Sequence, residues 1–230
     1  MKAKVTAIVL AAGKGSRMNS DVPKQYLTLL GKPVLFYSLQ AFEQSNVDEI
    51  ILVTGSGEQE YCKKEIVEKY HFNKVVHIAE GGAERYHSVH HGLLSVEEAD
   101  YVLIHDGARP LISVEVINNA IETVKATGAC VVGMPVKDTI QIVDSACIIE
   151  STPDRKNTWI AQTPQCFRFA LALSSYNRAI ESGDASITDD AMVVRKYGDA
   201  HVVMLEGGYE NIKVTTPEDI SVAECFLKMK

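Results

Sequence analysis

The stretch "VTAIVLAAGKGSRM", residues 5–18, is a run of apolar and β-branched residues that ends in two glycines and then in cations. Lys2 and Lys4 ahead of an apolar run resemble the start of a secretory leader. The run is short, however, and leads into a glycine turn instead of a cleavage site, so it reads as a first buried strand. Similar runs recur at "EIILVT" (49), "KVVHIA" (74), "YVLIHD" (101), "ACVVGMPV" (129) and "HVVMLE" (201). Continuous runs of this kind belong to strands buried on both faces. Helix-like stretches lie between and after them, at 33–44, 58–69, 84–95, 113–126, 167–182, 188–196 and 216–229. Ser113 with Glu115 close behind, and Thr216-Pro217-Glu218-Asp219, carry helix-start signals. Alternating strand and helix predicts an α/β fold with a parallel sheet covered by helices on both sides.

One segment breaks that rhythm. Residues 136–158, "VKDTIQIVDSACIIESTPDRKNT", alternate with period two around Asp144-Ser145. This predicts an inserted β-hairpin arm. A two-stranded hairpin is marginal in isolation, so it needs a surface to pack on, and a second subunit is the natural candidate. No repeat, low-complexity tract or linker divides the 230 residues, which are read as one domain, 1–230.

With 23 basic against 30 acidic residues the net charge is −7, which offers no global field to hold nucleic acid or an anionic membrane. Phosphate binding must therefore rely on a local cluster. No apolar stretch approaches the roughly 20 residues of a membrane span. Cys62, Cys130, Cys147, Cys166 and Cys225 are odd in number, scattered and free of any C-x-x-C pair. They read as reduced thiols of a cytoplasmic protein.

Three clusters carry chemistry. In the opening loop Gly13 and Gly15 let backbone amides approach a phosphate, and Arg17 and Lys24 add charge. The dinucleotide pattern G-x-G-x-x-G fails because Met18 stands where its third glycine belongs, and no G-K-[ST] occurs. What remains suits a polyphosphate whose phosphorus is attacked, although spacing alone leaves open a tight turn with solvated cations. In "HDGARP", residues 105–110, Asp106 could hold a magnesium ion or a sugar hydroxyl and Arg109 a phosphate monoester. An Asp-Gly turn with an internal ion pair is the structural alternative, and His105 reads as a packed strand-end residue. In "EGGAERYHSV", residues 80–89, the small residues and Ser88 leave room for a flat base, though Gly-Gly before a helix is also a common turn. His87, His90 and His91 share a helix without an acid or thiol to complete a zinc set. Arg155 stands at the far foot of the hairpin, and Trp159 reads as core.

Together, "VLAAGKGSRM", "PKQYLTLLGKPVL", "GGAERYHSV", "HDGARP", "PVKDTIQIV", "TPDRKNTWIAQTPQ", "ITDDA" and "NIKVTTPEDI" closely resemble the 2-C-methyl-D-erythritol 4-phosphate cytidylyltransferase family, in the family's order and over nearly the whole chain. The resemblance implies a Rossmann-like nucleotidyltransferase fold with a mostly parallel twisted sheet. It also implies a homodimer joined by exchanged arms, and transfer of CMP from CTP to methylerythritol 4-phosphate with magnesium as cofactor. Residue by residue, it implies that Arg17 and Lys24 stabilise the pentavalent transition state. Ala11, Ala12, Gly13 and Gly15 would cradle the nucleotide, Gly81, Gly82 and Ser88 select cytosine, and Asp106 lie near the ribose or the metal. Arg109, Thr139, Arg155, Thr188 and Lys213 would hold the sugar phosphate, Thr139 and Arg155 from the partner subunit. The chain departs from the family's habit at Tyr86-His87, where a small or polar residue followed by Asp is more frequent, and at His91, where Asn is.

A ribitol 5-phosphate cytidylyltransferase shares the loop and the "QTPQ" run, but "KQYLTLLGKPVL" and "PVKDTI" favour the methylerythritol enzyme. The broken fingerprint argues against a nicotinamide-dependent oxidoreductase. A non-catalytic nucleotide-binding relative would be expected to lose Arg17, Lys24 or Lys213 first, and all three are present.

Overall fold

The computed structural model describes residues 2–13, 15, 18 and 22–229. Strand β1 (Val5–Ala11) is buried along its whole length. Its side chains alternate between two cores: Val5, Ala7, Val9 and Ala11 on one side, Ile8 and Leu10 on the other. There follow a 3-10 turn (Lys24–Tyr26), the short strands β2 (Thr28–Leu29) and β3 (Lys32–Pro33), helix α1 (Val34–Gln44) and β4 (Glu49–Thr54). Helix α2 (Gln59–Tyr61) continues as a π-helical stretch, Cys62–Glu68. Next come β5 (Val75–Glu80), α3 (Arg85–Leu94), β6 (Tyr101–Asp106), α4 (Val114–Thr127) and β7 (Ala129–Pro135). The arm carries β8 (Ile142–Val143) and β9 (Ile149–Ser151), with a 3-10 turn (Arg155–Asn157) at its foot. The chain ends with β10 (Trp159–Arg168), α5 (Phe169–Ser182), α6 (Asp190–Gly198), β11 (Val203–Glu206) and α7 (Pro217–Lys228).

Seven strands form one sheet in the order β11-β7-β10-β6-β1-β4-β5. Neighbours are parallel except at β10, which runs antiparallel to both β6 and β7. Helices α1 and α4, with Cys62 and Ile66, pack on one face, and α3, α5 and α6 on the other. The predicted capping holds: the Ser113 side chain accepts from the Val116 N–H, and Thr216 with Asp219 forms a capping box. The arm forms where expected, turning through Asp144, whose Oδ1 accepts from the N–H groups of Ala146 and Ile148 at 2.9 Å each.

Three expectations are corrected. Strand β10 is invisible as an apolar run because Gln162, Thr163 and Gln165 interrupt it, yet all three are buried and hydrogen-bonded inside the sheet. Strands β5 and β11 are not buried on both faces, since they are the sheet's edges and leave Val76 and Val203 exposed. Trp159, at the start of β10, is half-buried and not core. From β1 the chain moves outward to β4 and β5, then returns to β6 on the opposite flank of β1. In sheets of this kind a crevice opens at the carboxyl ends of the strands where the order reverses.

Candidate functional site

A cleft of about 900 Å³ lies in that crevice. Its walls include Ala11, Ala12 and Gly13 from the end of β1, Lys24 from the 3-10 turn, Gly81, Gly82 and Ser88 before and within α3, Asp106 from β6, and Lys213. These residues lie far apart in sequence and meet because four parallel strands end on the same side of the sheet.

The glycine slot has a steric origin. A Cβ on Gly81 would lie 2.4 Å from the Cβ of Ala12 and 2.9 Å from Ser88 Oγ, so only glycine lets the start of α3 approach the β1 loop so closely. Ser88 Oγ accepts from the Gly82 N–H at 3.1 Å and donates to the Glu84 carbonyl at 3.2 Å, which holds the slot open. On the other side, Gly15 has φ of +63° and a Cβ there would sit 3.2 Å from Lys24 Cβ, so the loop folds tightly against this lysine. Two neighbours anchor the Lys24 turn. Gln25, 2% exposed, donates to the Ala11 carbonyl at 2.6 Å. Tyr26 donates to Glu58 Oε2 at 2.7 Å and meets Cys62 Sγ at 3.0 Å. Burial pushes the Cys62 thiol up to about 11.

At the floor, Asp106 gathers cations. Its Oδ1 accepts from Arg85 Nε at 3.0 Å, its Oδ2 pairs with Lys213 Nζ at 2.8 Å, and Arg109 Nε stands 3.9 Å from Oδ2. Burial alone would raise this carboxyl, but Arg85, Lys213 and Arg109 outweigh it and hold Asp106 well below the usual carboxylate range. Arg109 donates through Nη1 to the Asn211 carbonyl at 2.8 Å, while its Nε is buried without a hydrogen bond. His105 is fully buried, packs 5.0 Å from the Phe42 ring centroid, and meets Thr163 Oγ1 at 3.0 Å. Burial pushes its imidazole down to about 4, so it is a neutral structural residue at neutral pH.

The structure therefore brings together Ala11, Ala12, Gly13, Lys24, Gly81, Gly82, Ser88, Asp106 and Lys213. Gly15 sits behind Lys24, and Arg109 lies beneath Asp106. Arg17 lies outside the described residues. Thr139, Arg155 and Thr188 are exposed and do not line the cleft of their own chain. Arg155 donates to the Lys137 carbonyl at 3.4 Å. Among the histidines of α3, His91 Nδ1 meets the Glu80 carbonyl at 2.9 Å and His90 Nε2 meets Asn177 Oδ1 at 2.8 Å. Neither lines the cleft.

Sequence reasoning missed the Arg85–Asp190 pair behind Asp106. Arg85 grips Asp190 through both terminal nitrogens, at 2.7 and 2.8 Å, and Tyr176 donates to the same carboxylate at 2.5 Å. Adjacent acids at a helix start read as caps, and Asp189 is one, accepting from the Met192 N–H. Nothing in the one-dimensional pattern marks Asp190 as the inward one.

Comparison with known proteins agrees with this geometry. The family model described as 2-C-methyl-D-erythritol 4-phosphate cytidylyltransferase matches residues 5–229. Proteins of that name from Lachnoclostridium phytofermentans and Lachnospira eligens are 50% and 51% identical, over 98% and 97% of this chain and 97% and 99% of theirs. A crystal structure of 4-diphosphocytidyl-2C-methyl-D-erythritol synthase from Anaerococcus prevotii superposes with a TM-score of 0.86 at 32% identity, covering 98% of this chain and 96% of that one.

Proposed function

The chain belongs to the 2-C-methyl-D-erythritol 4-phosphate cytidylyltransferase family, and from that premise we propose how its residues divide the work. It transfers CMP from CTP to 2-C-methyl-D-erythritol 4-phosphate, releasing pyrophosphate and forming 4-diphosphocytidyl-2-C-methyl-D-erythritol in isoprenoid precursor synthesis. An oxygen of the sugar phosphate attacks the α-phosphorus of CTP. As that P–O bond forms, the bond to the bridging oxygen of the leaving pyrophosphate breaks. A phosphate monoester is largely a dianion at neutral pH, so its oxygen needs no general base. The buried neutral His105 fits that requirement.

Lys24, with Arg17, stabilises the charge that builds on the α-phosphoryl group in flight. The Gly81–Gly82 slot has room for a flat pyrimidine, main-chain groups and Ser88 read cytosine against the equally sized uracil by hydrogen bonding, and Ala11, Ala12, Gly13 and Gly15 cradle the nucleotide. Lys213 and Arg109 serve the sugar phosphate from the home chain, and Thr188 approaches from the start of α6. Thr139 and Arg155 come from a second copy. The uncovered apolar side chains of the arm support that assignment, since Ile148 and Ile149 are 64% and 61% exposed in one chain.

Magnesium is the cofactor in this reading. No cluster of three or more His, Cys, Asp or Glu capable of caging a metal occurs among the described residues. Magnesium, however, is commonly held by one or two carboxylates together with substrate phosphates, and Asp106 on the cleft wall would hold it by exchanging the Lys213 ammonium at Oδ2 for the ion. When bound, the ion offsets charge on the triphosphate. No described helix is long and apolar enough to cross a membrane. Free thiols at all five cysteines support a cytoplasmic setting.

The observation that carries the reading is the meeting of Lys24, Asp106 and Lys213 around one glycine-walled slot. Pyrophosphate release should be rapid with CTP and methylerythritol 4-phosphate, and at least tenfold slower with UTP, ATP or GTP. Equal turnover with UTP would overturn the cytosine assignment, and faster release with ribitol 5-phosphate would overturn the acceptor.

A further inference from the structure

We propose that Arg85, clamped by Asp190, is a positioning residue that aims the carboxylate of Asp106. The inference rests on the functional reading above. Arg85 is the first residue of α3 and lines the cleft beside Asp106. Its two terminal nitrogens hold both oxygens of Asp190, which leaves Nε as the donor aimed at Asp106 Oδ1, 3.0 Å away. A bidentate guanidinium–carboxylate pair is planar and directional, so a guanidinium fixed on one edge fixes the direction of its Nε–H.

Asp190 is itself immobilised. It is fully buried, accepts from Tyr176, and occupies the first turn of α6, where the helix dipole favours a negative charge. Gln165 braces the same helix start, donating to Asp189 Oδ2 at 2.5 Å and accepting from the Ala191 N–H at 2.8 Å. The clamp thus joins α3, β6, α5 and α6 at one point of the cleft wall. Buried ion pairs are poor sources of net stability compared with apolar packing, so stability alone does not account for one placed here.

The clamp has a consequence for Lys213. With Oδ1 engaged by Arg85, Asp106 offers Oδ2 to Lys213 at 2.8 Å. If Arg85 let go, the carboxylate could turn both oxygens toward Lys213 and Arg109. It would then draw in the cations that the reading assigns to the sugar phosphate.

The test separates aim from stability. Arg85→Met leaves Asp190 buried and unpaired, so its Tm should fall. Arg85→Met/Asp190→Asn is neutral at both positions and should recover most of that Tm. In the double variant kcat should still be down by about 10- to 100-fold, with KM for CTP little changed. Arg85→Lys should fail to rescue kcat, because one ammonium cannot span two carboxylates. Recovery of kcat together with Tm would make Arg85 merely structural, and a raised KM for CTP at constant kcat would make it a nucleotide contact; either overturns the proposal. An inactive wild type would instead overturn the functional reading. A crystal structure of the double variant would then judge the clamp by itself: Asp106 turned toward Lys213 supports it, and Asp106 unmoved refutes it.

Discussion

Lys24 follows Pro23 and enters a single 3-10 turn, so its backbone has little freedom before any ligand arrives. Gln25 on one side and Gly15 on the other confine it further, which is the preorganisation that transition-state stabilisation needs. Lys24→Ala should therefore lower kcat by about a hundredfold or more, with a smaller change in CTP affinity. Steady-state kinetics decide: a constant kcat with a raised KM would make Lys24 a ground-state contact. The sequence singled out this lysine, the glycines and Asp106 through the glycine loop after a buried strand and through the resemblance to the family, since spacing alone fits a tight turn with solvated cations as well. Arg85 and Asp190 escaped because their value depends on a neighbour more than a hundred positions away.

The 3-10 turn is held as an element by Tyr26, whose hydroxyl reaches Glu58 in the β4–α2 loop, and Glu58 Oε2 in turn accepts from the Gly55 N–H at 3.2 Å. Two loops of the cleft are thereby coupled through one carboxylate. Tyr26→Phe removes that tie at a cost of about 1.5–3 kcal/mol, as expected for a hydrogen bond to a charged group. It should also reduce kcat about tenfold, because Lys24 loses an anchor without losing its charge. A melting curve together with kcat checks both, and an unchanged kcat would show that Gln25 alone suffices. Strand β10 teaches the opposite lesson about elements. Its glutamines and threonine look like loop residues in one dimension, and only the sheet reveals their partners. Gln162 donates to the Gly208 carbonyl at 2.8 Å, and Thr163 Oγ1 accepts from the Asp106 N–H at 3.1 Å.

For the whole molecule, the arm leaves Ile148 and Ile149 exposed and Arg155 outside the cleft of its own chain, and in the proposed reading a second copy of the chain covers the arm and receives the arginine. Arg155→Ala and Lys213→Ala should each reduce kcat/KM for the sugar phosphate while leaving CTP binding largely intact. Mixed together, they form heterodimers in which one site carries both lesions and the other neither, so subunit exchange should restore part of the activity. No recovery despite demonstrated exchange, or a fully active monomer in sedimentation, would remove the arm from its neighbour's site. Much of this molecule is determined locally: buried runs make strands, capping residues start helices, period-two alternation makes the arm, and glycines with cations mark the cleft. Each of these is set by residues within a few positions of one another, which is why a reader of the chain alone can find them. The antiparallel course of β10, the exposed edges of the sheet, the anchoring of Lys24 and the clamp on Asp106 were decided only by the tertiary structure. Each depends on pairing between distant segments, whose energy comes from partners that a linear pattern does not identify.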